Sequence, residues 1–219
     1  MYINITTKSS FYEEKGDVMK RNYALMVVVS MVLFLNSGCG GLIGLQEAKN
    51  PPLTQTVYDG ESSTLEISLP FELEDLPAGD FGDMAHYILS YFDKAGIDRN
   101  AVRIIHIAYD EEEIEKETGE EFVLDIDGAI EGFIKDFKNT SGKKNFKSGS
   151  VNKINVDGVE ARSATLSYAT TEKNPVDFEG EAIVLAKGVD VWLIVTMDKK
   201  GDEISKAISD KVRKSIKIK

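Results

Sequence analysis

Cysteine occurs once in the 219 residues, histidine twice and tryptophan once. Basic residues are outnumbered, 26 Lys and Arg against 37 Asp and Glu, for a net charge of −11. Each scarcity excludes something. One cysteine forbids an intramolecular disulfide and any cysteine-based zinc site. His86 and His106 are a thin supply for metal or acid–base work. The acidic balance argues against nucleic acid, whose recognition needs clustered Lys and Arg on phosphates, and against adhesion to anionic headgroups. The longest apolar stretch, Tyr23 to Leu35, falls short of the roughly 20 residues a membrane-spanning helix needs. No repeat and no low-complexity segment is present. What remains, 42% hydrophobic and 29% charged residues, is the composition of an ordinary globular domain with appendages.

The N-terminal part reads as an export signal. Met19-Lys20-Arg21-Asn22 is a short basic region, Tyr23 to Leu35 an apolar core, and Asn36-Ser37-Gly38-Cys39 a small-residue cleavage site. Ser37, Gly38 and Cys39 resemble the bacterial lipobox, which ends in a small residue, Gly or Ala, and Cys; Asn36 stands where an aliphatic residue is usual. The resemblance implies that Cys39 becomes a mature N-terminus carrying lipid. Stable anchoring takes more than one acyl chain, since a single chain binds marginally. Gly40, where Asp would favour inner-membrane retention, permits outward sorting in a bacterium with two membranes. Residues 1–18 look like an upstream extension, with Glu13-Glu14-Lys15-Gly16-Asp17 encoded by codons resembling a ribosome-binding site ahead of Met19. The expected organisation is therefore extension 1–18, signal peptide 19–38, lipidated cysteine and flexible tether 39–55, and globular domain 56–219. Gly40, Gly41, Gly44 and the Pro51-Pro52 pair mark the tether.

Within the domain, Thr64 to Leu69 alternates as a strand with Leu65, Ile67 and Leu69 on one side, ended by Pro70. Phe81, Met84, Ile88, Tyr91 and Phe92 fall at helical spacing, with Asp80 as N-cap and Gly96 past the end. Val102 to Tyr109 reads as a strand, and Asp110 to Glu121 as an acidic loop poor in apolar residues. A helix over Asp127 to Lys138 buries Ile130, Phe133, Ile134 and Phe137. Four strands follow: Ser150 to Val156, Ala161 to Thr170, Phe178 to Ala186 and Val189 to Met197, with Asp157-Gly158 a two-residue hairpin signal. A last helix spans Asp202 to Lys214 with Ile204, Ala207, Ile208 and Val212 on one face, and Ser215 to Lys219 closes against the sheet. Meandering strands with helices at both ends of the domain predict an α+β fold.

This order of elements resembles the PsbP-like family. The resemblance rests on Leu69-Pro70-Phe71, on Asp127-Gly128-Ala129, on Val156-Asp157-Gly158-Val159-Glu160-Ala161, on Val191-Trp192-Leu193-Ile194 and on Arg213-Lys214-Ser215-Ile216. It implies an antiparallel sheet of about six or seven strands flanked by helices, a PsbP-like α/β/α sandwich, over residues 56–219. It implies little about function, because such relatives bind different partners and share no catalytic residues.

Several features invite chemistry. Asp125-Ile126-Asp127-Gly128 hints at calcium, yet the third oxygen ligand of an EF-hand loop is missing, and helix capping by Asp125 or Asp127 is the better reading. The acids Asp110, Glu111, Glu112, Glu113, Glu115, Glu117, Glu120 and Glu121 read as solvated surface. His106 should face away from Ile105 and Ile107, and His86 lies beside the first helix's apolar stripe; neither has a nucleophile or ligand partner at a telling spacing. Both read as partly buried or surface histidines. Tyr87, Tyr91, Phe92, Tyr109 and Trp192 suit a core better than a cleft or stacking platform. Gly38-Cys39-Gly40-Gly41 is no phosphate loop, and Asn139-Thr140-Ser141 is a sequon without meaning in a bacterium.

The expectation is a non-catalytic binding module, with Cys39 the lipidated residue and no catalytic, cofactor or metal residue assigned. It would sit on the outer side of a cell membrane or outer membrane, held through its lipid. Its partner would be an envelope protein or a small hydrophobic ligand, not nucleic acid. The alternative is an envelope enzyme, or enzyme accessory, whose carboxylates pair only in the fold. Two carboxylates about 5–10 Å apart in a cleft would favour that alternative.

Overall fold

The computed structural model describes residues 52–76, 85–92, 100–119, 121–139, 142–171 and 173–219, with backbone alone for 74–76, 85–92, 117 and 118. The signal segment, Cys39 and the sequon's Thr140 and Ser141 lie outside the described residues, as does the side chain of His86.

Two antiparallel sheets carry the domain. The small one has β1 (Thr54–Asp59), β2 (Thr64–Leu69) and β11 (Lys217–Ile218) in the order β1-β2-β11. Sheet pairing thus starts at Thr54, opposite Leu69. The large sheet has eight strands, somewhat more than expected. Its order is β3 (Glu74–Leu76), β4 (Ala85–Phe92), β5 (Asn100–Tyr109), β10 (Asp190–Lys199), β9 (Asp177–Lys187), β8 (Val159–Thr170) and β6 (Lys143–Ser148), with β7 (Asn152–Val156) also on β8. Three helices accompany them: α1 (Glu111–Thr118), α2 (Ile126–Asn139) and α3 (Glu203–Lys214).

The sheet's two faces close separate cores. On one face α2 buries Ile130, Phe133 and Phe137 against Ile105, Leu166, Phe178, Val184, Leu193 and Met197. On the other, α3 and the small sheet bury Leu65, Ile67, Leu69, Ile208 and Val212 against Ile104, Ile183, Leu185, Trp192 and Ile194. Even-numbered residues of β10 face α3 and odd-numbered ones face α2, as strand alternation requires. The result is an α+β sandwich of helix, sheet, and a mixed layer.

The local chemistry explains most elements. Asp157 and Gly158 turn β7 into β8 with φ of 50° and 90°, as a primed hairpin turn demands. Asp202 caps α3 by accepting from the amides of Ile204 and Ser205 at 3.1 and 3.0 Å. Asp125 caps α2 by accepting from Gly128 N–H at 2.8 Å, which settles the first acid of the calcium-like motif as a cap. Ser215 to Lys219 does close on a sheet: Ile218 pairs with Leu65 of β2.

Four expectations are corrected. Residues 85–92, read as part of a helix, form β4 between β3 and β5. Their apolar residues occupy both strand parities, and such a run cannot be told from a helix by periodicity. Phe81, Met84, Asp80 and Gly96, the rest of that reading, lie outside the described residues. The acidic stretch after Asp110 is α1, not a loop. Asp110 accepts from Glu113 N–H at 2.9 Å, and Gly119 ends the helix at φ 70°. Its first-turn acids Glu111, Glu112 and Glu113 meet the positive end of the helix dipole, while Ile114 is the buried anchor among its described side chains. On α3 the buried face carries Ser205 and Ser209, and Ala207 is exposed. Finally, β6 joins the edge of the sheet where no strand was expected.

Candidate functional site

Two polar clusters stand on the α3-facing side of β10, at opposite ends. The first centres on Asp190, which is fully buried with His106 and Trp192. One carboxylate oxygen accepts from His106 Nε2 at 2.7 Å and from Glu61 N–H at 3.0 Å. The other accepts from Ser62 N–H and Ser63 Oγ, each at 2.8 Å, and from Ser62 Oγ at 3.0 Å. Trp192 Nε1 donates to Ser63 Oγ at 2.9 Å, and its ring stacks on His106 with centroids 4.0 Å apart. Burial alone would raise the Asp190 carboxyl, but His106, Ser62, Ser63 and Glu61 together hold it below its ordinary value. Burial pushes the His106 imidazole down, against the pull of Asp190. The pair is therefore a carboxylate and a neutral imidazole, with Nε2–H donating.

Local sequence makes this possible. A Cβ on Gly60 would stand 2.6 Å from Asp190 Oδ2, so only glycine lets the β1–β2 turn wrap the carboxylate. Gly188 turns β9 into β10 at φ 60°, bringing Val189 N–H to Ser62 Oγ at 2.9 Å. The residue types are those of a hydrolase triad, but the wiring is not. In a triad the histidine contacts the serine and the acid orients the histidine. Here Asp190 sits between them, takes hydrogen bonds from both hydroxyls, and is sealed. The cluster ties the β1–β2 turn to the large sheet. His106, expected to be partly buried or at the surface, is fully buried.

The second cluster lies around Asp198, four side chains further along the same face. Cross-strand register places Lys147 beside Ser167, Ser167 beside Glu179, and Glu179 beside Asp198. The neighbouring row is Thr165, Glu181 and Thr196. The face that is apolar under α3 and β2 thus turns polar at this end. β6 and α3 leave it open as a cleft of about 400 Å³, walled by Lys147, Ser148 and Gly149 on one side and by Lys206 and Arg213 on the other. Arg213 is committed: it donates to Thr196 Oγ1 at 2.7 Å and pairs with Glu181 at 3.3 Å and with Asp210. Asn100 Nδ2 donates to Ser209 Oγ at 3.0 Å, and Ser209 in turn bonds Asp198. Asp198 is 3% exposed. Burial raises its carboxyl, Ser209 and Arg213 oppose that, and Glu179 and Asp210 add to it.

The remaining candidates are structural. Asp127 is drawn well below its ordinary range by Arg162, which reaches it at 2.5 and 3.0 Å and bonds Glu160 at 2.8 Å. This fastens the start of α2 to β8. Trp192 belongs to the core, and Tyr109 packs at the margin of the α2-side core. The side chains of Tyr87, Tyr91 and Phe92 lie outside the described residues. Beside α2, Lys143 lies over the Phe137 ring at 4.2 Å, and burial followed by nearby Arg103 lowers it to about 8. Among the described residues no group of three or more His, Cys, Asp or Glu could hold a metal ion, and no helix is long and apolar enough to cross a membrane.

Sequence reasoning missed both Asp190 and the cleft. The strand expected over Val189 to Met197 contained Asp190 and stopped short of Asp198. A usable signal was present: on one parity Asp190, Thr196 and Asp198 interrupt Trp192 and Ile194, and polar residues on a buried face need partners.

Fold and site together define an α+β domain with a sealed polar clasp and an open polar cleft. No protein-family model and no curated protein matches the chain. Solved structures similar to it include the following two. One is LpqN, involved in cell envelope biogenesis of Mycobacterium tuberculosis, at 14% identity and TM-score 0.43, covering 76% of this chain and 91% of that one. The other is cyanobacterial PsbP (CyanoP) from Synechocystis, at 13% identity and TM-score 0.47, covering 82% and 100%. One of the two is thus a PsbP, the family that the order of elements resembles. Likenesses this loose assign neither a partner nor an activity.

Proposed function

We propose that this chain is an exported lipoprotein whose domain is a non-catalytic binding module, held by lipid on Cys39 at the outer side of a cell membrane or outer membrane. The cleft between β6 and α3 carries the module reading: charged and hydroxyl groups of both signs converge on an open cavity. The cluster that imitates a triad is a clasp with no serine–histidine contact. The cleft's lining favours a polar ligand over a small hydrophobic one, and a protein partner could present such a group.

The anchor has a direct test. Mass spectrometry of the protein from its producing cells should find a diacylglyceryl group on Cys39 and no peptide N-terminal to it. Cys39→Ser should leave the unprocessed chain. A mature protein that retains residues 19–38, or an unmodified Cys39, would sink the lipoprotein reading.

One observation favours a second reading. Glu179 and Asp198 are directly opposed on adjacent strands, a spacing of about 5 Å between Cβ atoms, and burial raises the Asp198 carboxyl. A paired acid and base of this kind could serve glycoside hydrolysis. Hydrolysis of a glycoside panel that disappears in both Glu179→Gln and Asp198→Asn would establish the enzyme; no turnover leaves the module.

A further inference from the structure

We propose that the cleft between β6 and α3 is a site for a small amino-acid-type zwitterion, its ammonium on Glu179 and Asp198 and its carboxylate between Lys147 and Lys206. The inference rests on the binding reading above and gives that site a ligand class.

The argument is one of unspent charge. Of the cleft's three cations, Arg213 is spent on Glu181 and Asp210. Lys147, Lys206 and Glu179 make no ion pair among the described residues. Both signs are therefore left uncompensated in one cavity. They are also separated, because the acids rise from the sheet floor on β9 and β10 and the lysines come from the flanking β6 and α3. A simple cation would meet the two lysines as like charges, and a simple anion would meet Glu179. A ligand carrying both signs satisfies both sets, and the mismatch rejects singly charged competitors.

The neutral groups agree. Ser167 and Thr165 stand on the floor, on the same face as Glu179 and Asp198, and offer hydroxyls between the charged groups. Leu166, the one large apolar residue of the lining, packs its side chain into the α2-side core, and no aromatic ring takes part. That disfavours lipids and stacked sugars. Asp198 is held by Ser209 at the bottom of the cleft, so an acceptor is already oriented there. The burial that lifts its carboxyl is offset by the opposite charge when an ammonium arrives. A metal ion fits less well, since Glu181 is occupied by Arg213 and only two free acids remain.

Calorimetric titration of the full-length protein in detergent micelles tests the assignment. The probes are glycine, L- and D-alanine, glutamate, lysine and dialanine, with propylamine and propionate as single-charge controls. At least one zwitterion should bind with a Kd below about 1 mM and at least tenfold more tightly than either control. Glu179→Gln and Lys206→Ala should each weaken it roughly tenfold or more. Lys219→Ala, which removes a cation paired with Glu66 elsewhere, should leave it unchanged. Melting curves of the variants confirm that they fold. Propionate binding as tightly as the zwitterions, with Glu179→Gln indifferent, overturns the proposal in favour of a plain anion site. Binding by no probe also overturns it. If a crosslinked partner protein is lost in Lys206→Ala in that case, the module stands and only the ligand class fails.

Discussion

Asp190 and Asp198 share a strand, a face and a degree of burial, yet their surroundings pull them in opposite directions. Asp190 receives five hydrogen bonds from the β1–β2 turn and His106 and is held ionised. Asp198 is bonded by Ser209, borders the acids Glu179 and Asp210, and has its carboxyl raised by burial. The two lie about 27 Å apart on a strand rising about 3.4 Å per residue. One closes the fold and the other opens onto a cleft. The lesson is that a buried acid in a strand gains its role from how completely the rest of the chain satisfies it. Enclosed by donors, it is a clasp; held beside a cavity among other acids, it is a place for a ligand.

The largest expected effect is at the clasp. Asp190→Ala removes the acceptor shared by the Glu61 and Ser62 amides, the Ser62 and Ser63 hydroxyls and His106 Nε2 in a sealed site. Each buried donor left without its acceptor costs about 1–3 kcal/mol, so the loss should reach several kcal/mol. Urea denaturation should show that loss, with the β1–β2 turn the first segment to exchange its amides. A cost below about 1 kcal/mol would mean the clasp is ornamental, and the comparison collapses.

Ser63→Ala is the finer cut on the same side. It deletes one donor to Asp190 and the acceptor of Trp192 Nε1. A buried donor left without a partner costs about 1–3 kcal/mol. Trp192 fluorescence reports the change directly, because its indole N–H loses the Ser63 hydroxyl that accepts from it. A red-shifted emission and a lower urea midpoint are expected together.

These two predictions also show where the sequence could be read. Strand β2 and helices α2 and α3 were legible because one period dominated each of them: Leu65, Ile67 and Leu69, or Ile130, Phe133 and Phe137. Strands β8, β9 and β10 were legible as β-rich runs bounded by the turns at Asp157-Gly158 and Lys187-Gly188. β4 was not, since Tyr87-Ile88-Leu89 is apolar on both parities. α1 was missed because its apolar content is a single buried Ile114, although Asp110 and Gly119 bracketed it with capping signals. The clasp joins residues 127 positions apart at Ser63 and Asp190, and no local pattern encodes that. The cleft is harder still. It exists only because register aligns Lys147, Ser167, Glu179 and Asp198 across four strands while α3 covers one side. Cys39, by contrast, is legible in sequence and lies outside the described residues.

The clasp should also write itself into the pH dependence. The folded His106 binds its proton more weakly than a free histidine, whose value is about 6.5. Above that value its contribution to stability is complete. As pH falls below it the unfolded chain takes up a proton that the folded one refuses, so stability drops until the folded value is passed. One such proton bends the curve by at most about 1.4 kcal/mol per pH unit. The stability difference between the wild type and His106→Asn should therefore narrow from pH 7 to pH 5. A difference independent of pH in that window would show that His106 is not held neutral by the fold.

Asp198→Asn should have the smallest effect, and its sign is what matters. Asp198 has a raised value in the fold, so its favourable contribution is present below the unfolded value of about 3.9 and is lost as pH rises through the folded one. At pH 7 the wild type therefore carries a buried carboxylate that asparagine, of nearly the same shape, replaces without charge. The asparagine carbonyl can still accept from Ser209, and the repulsion from Glu179 and Asp210 disappears. Melting temperature at pH 7 should stay level or rise slightly, and the advantage should fade as the wild-type carboxyl protonates in acid. Asp190→Asn, made beside it, should lose stability at pH 7, because an amide nitrogen cannot accept from the donors gathered there. If both asparagine variants fall together, Asp198 is a second clasp, and the cleft above it is a by-product of packing. If they diverge, the open end of β10 retains its buried acid at a cost to the fold, and binding is the reason for such a residue to be there.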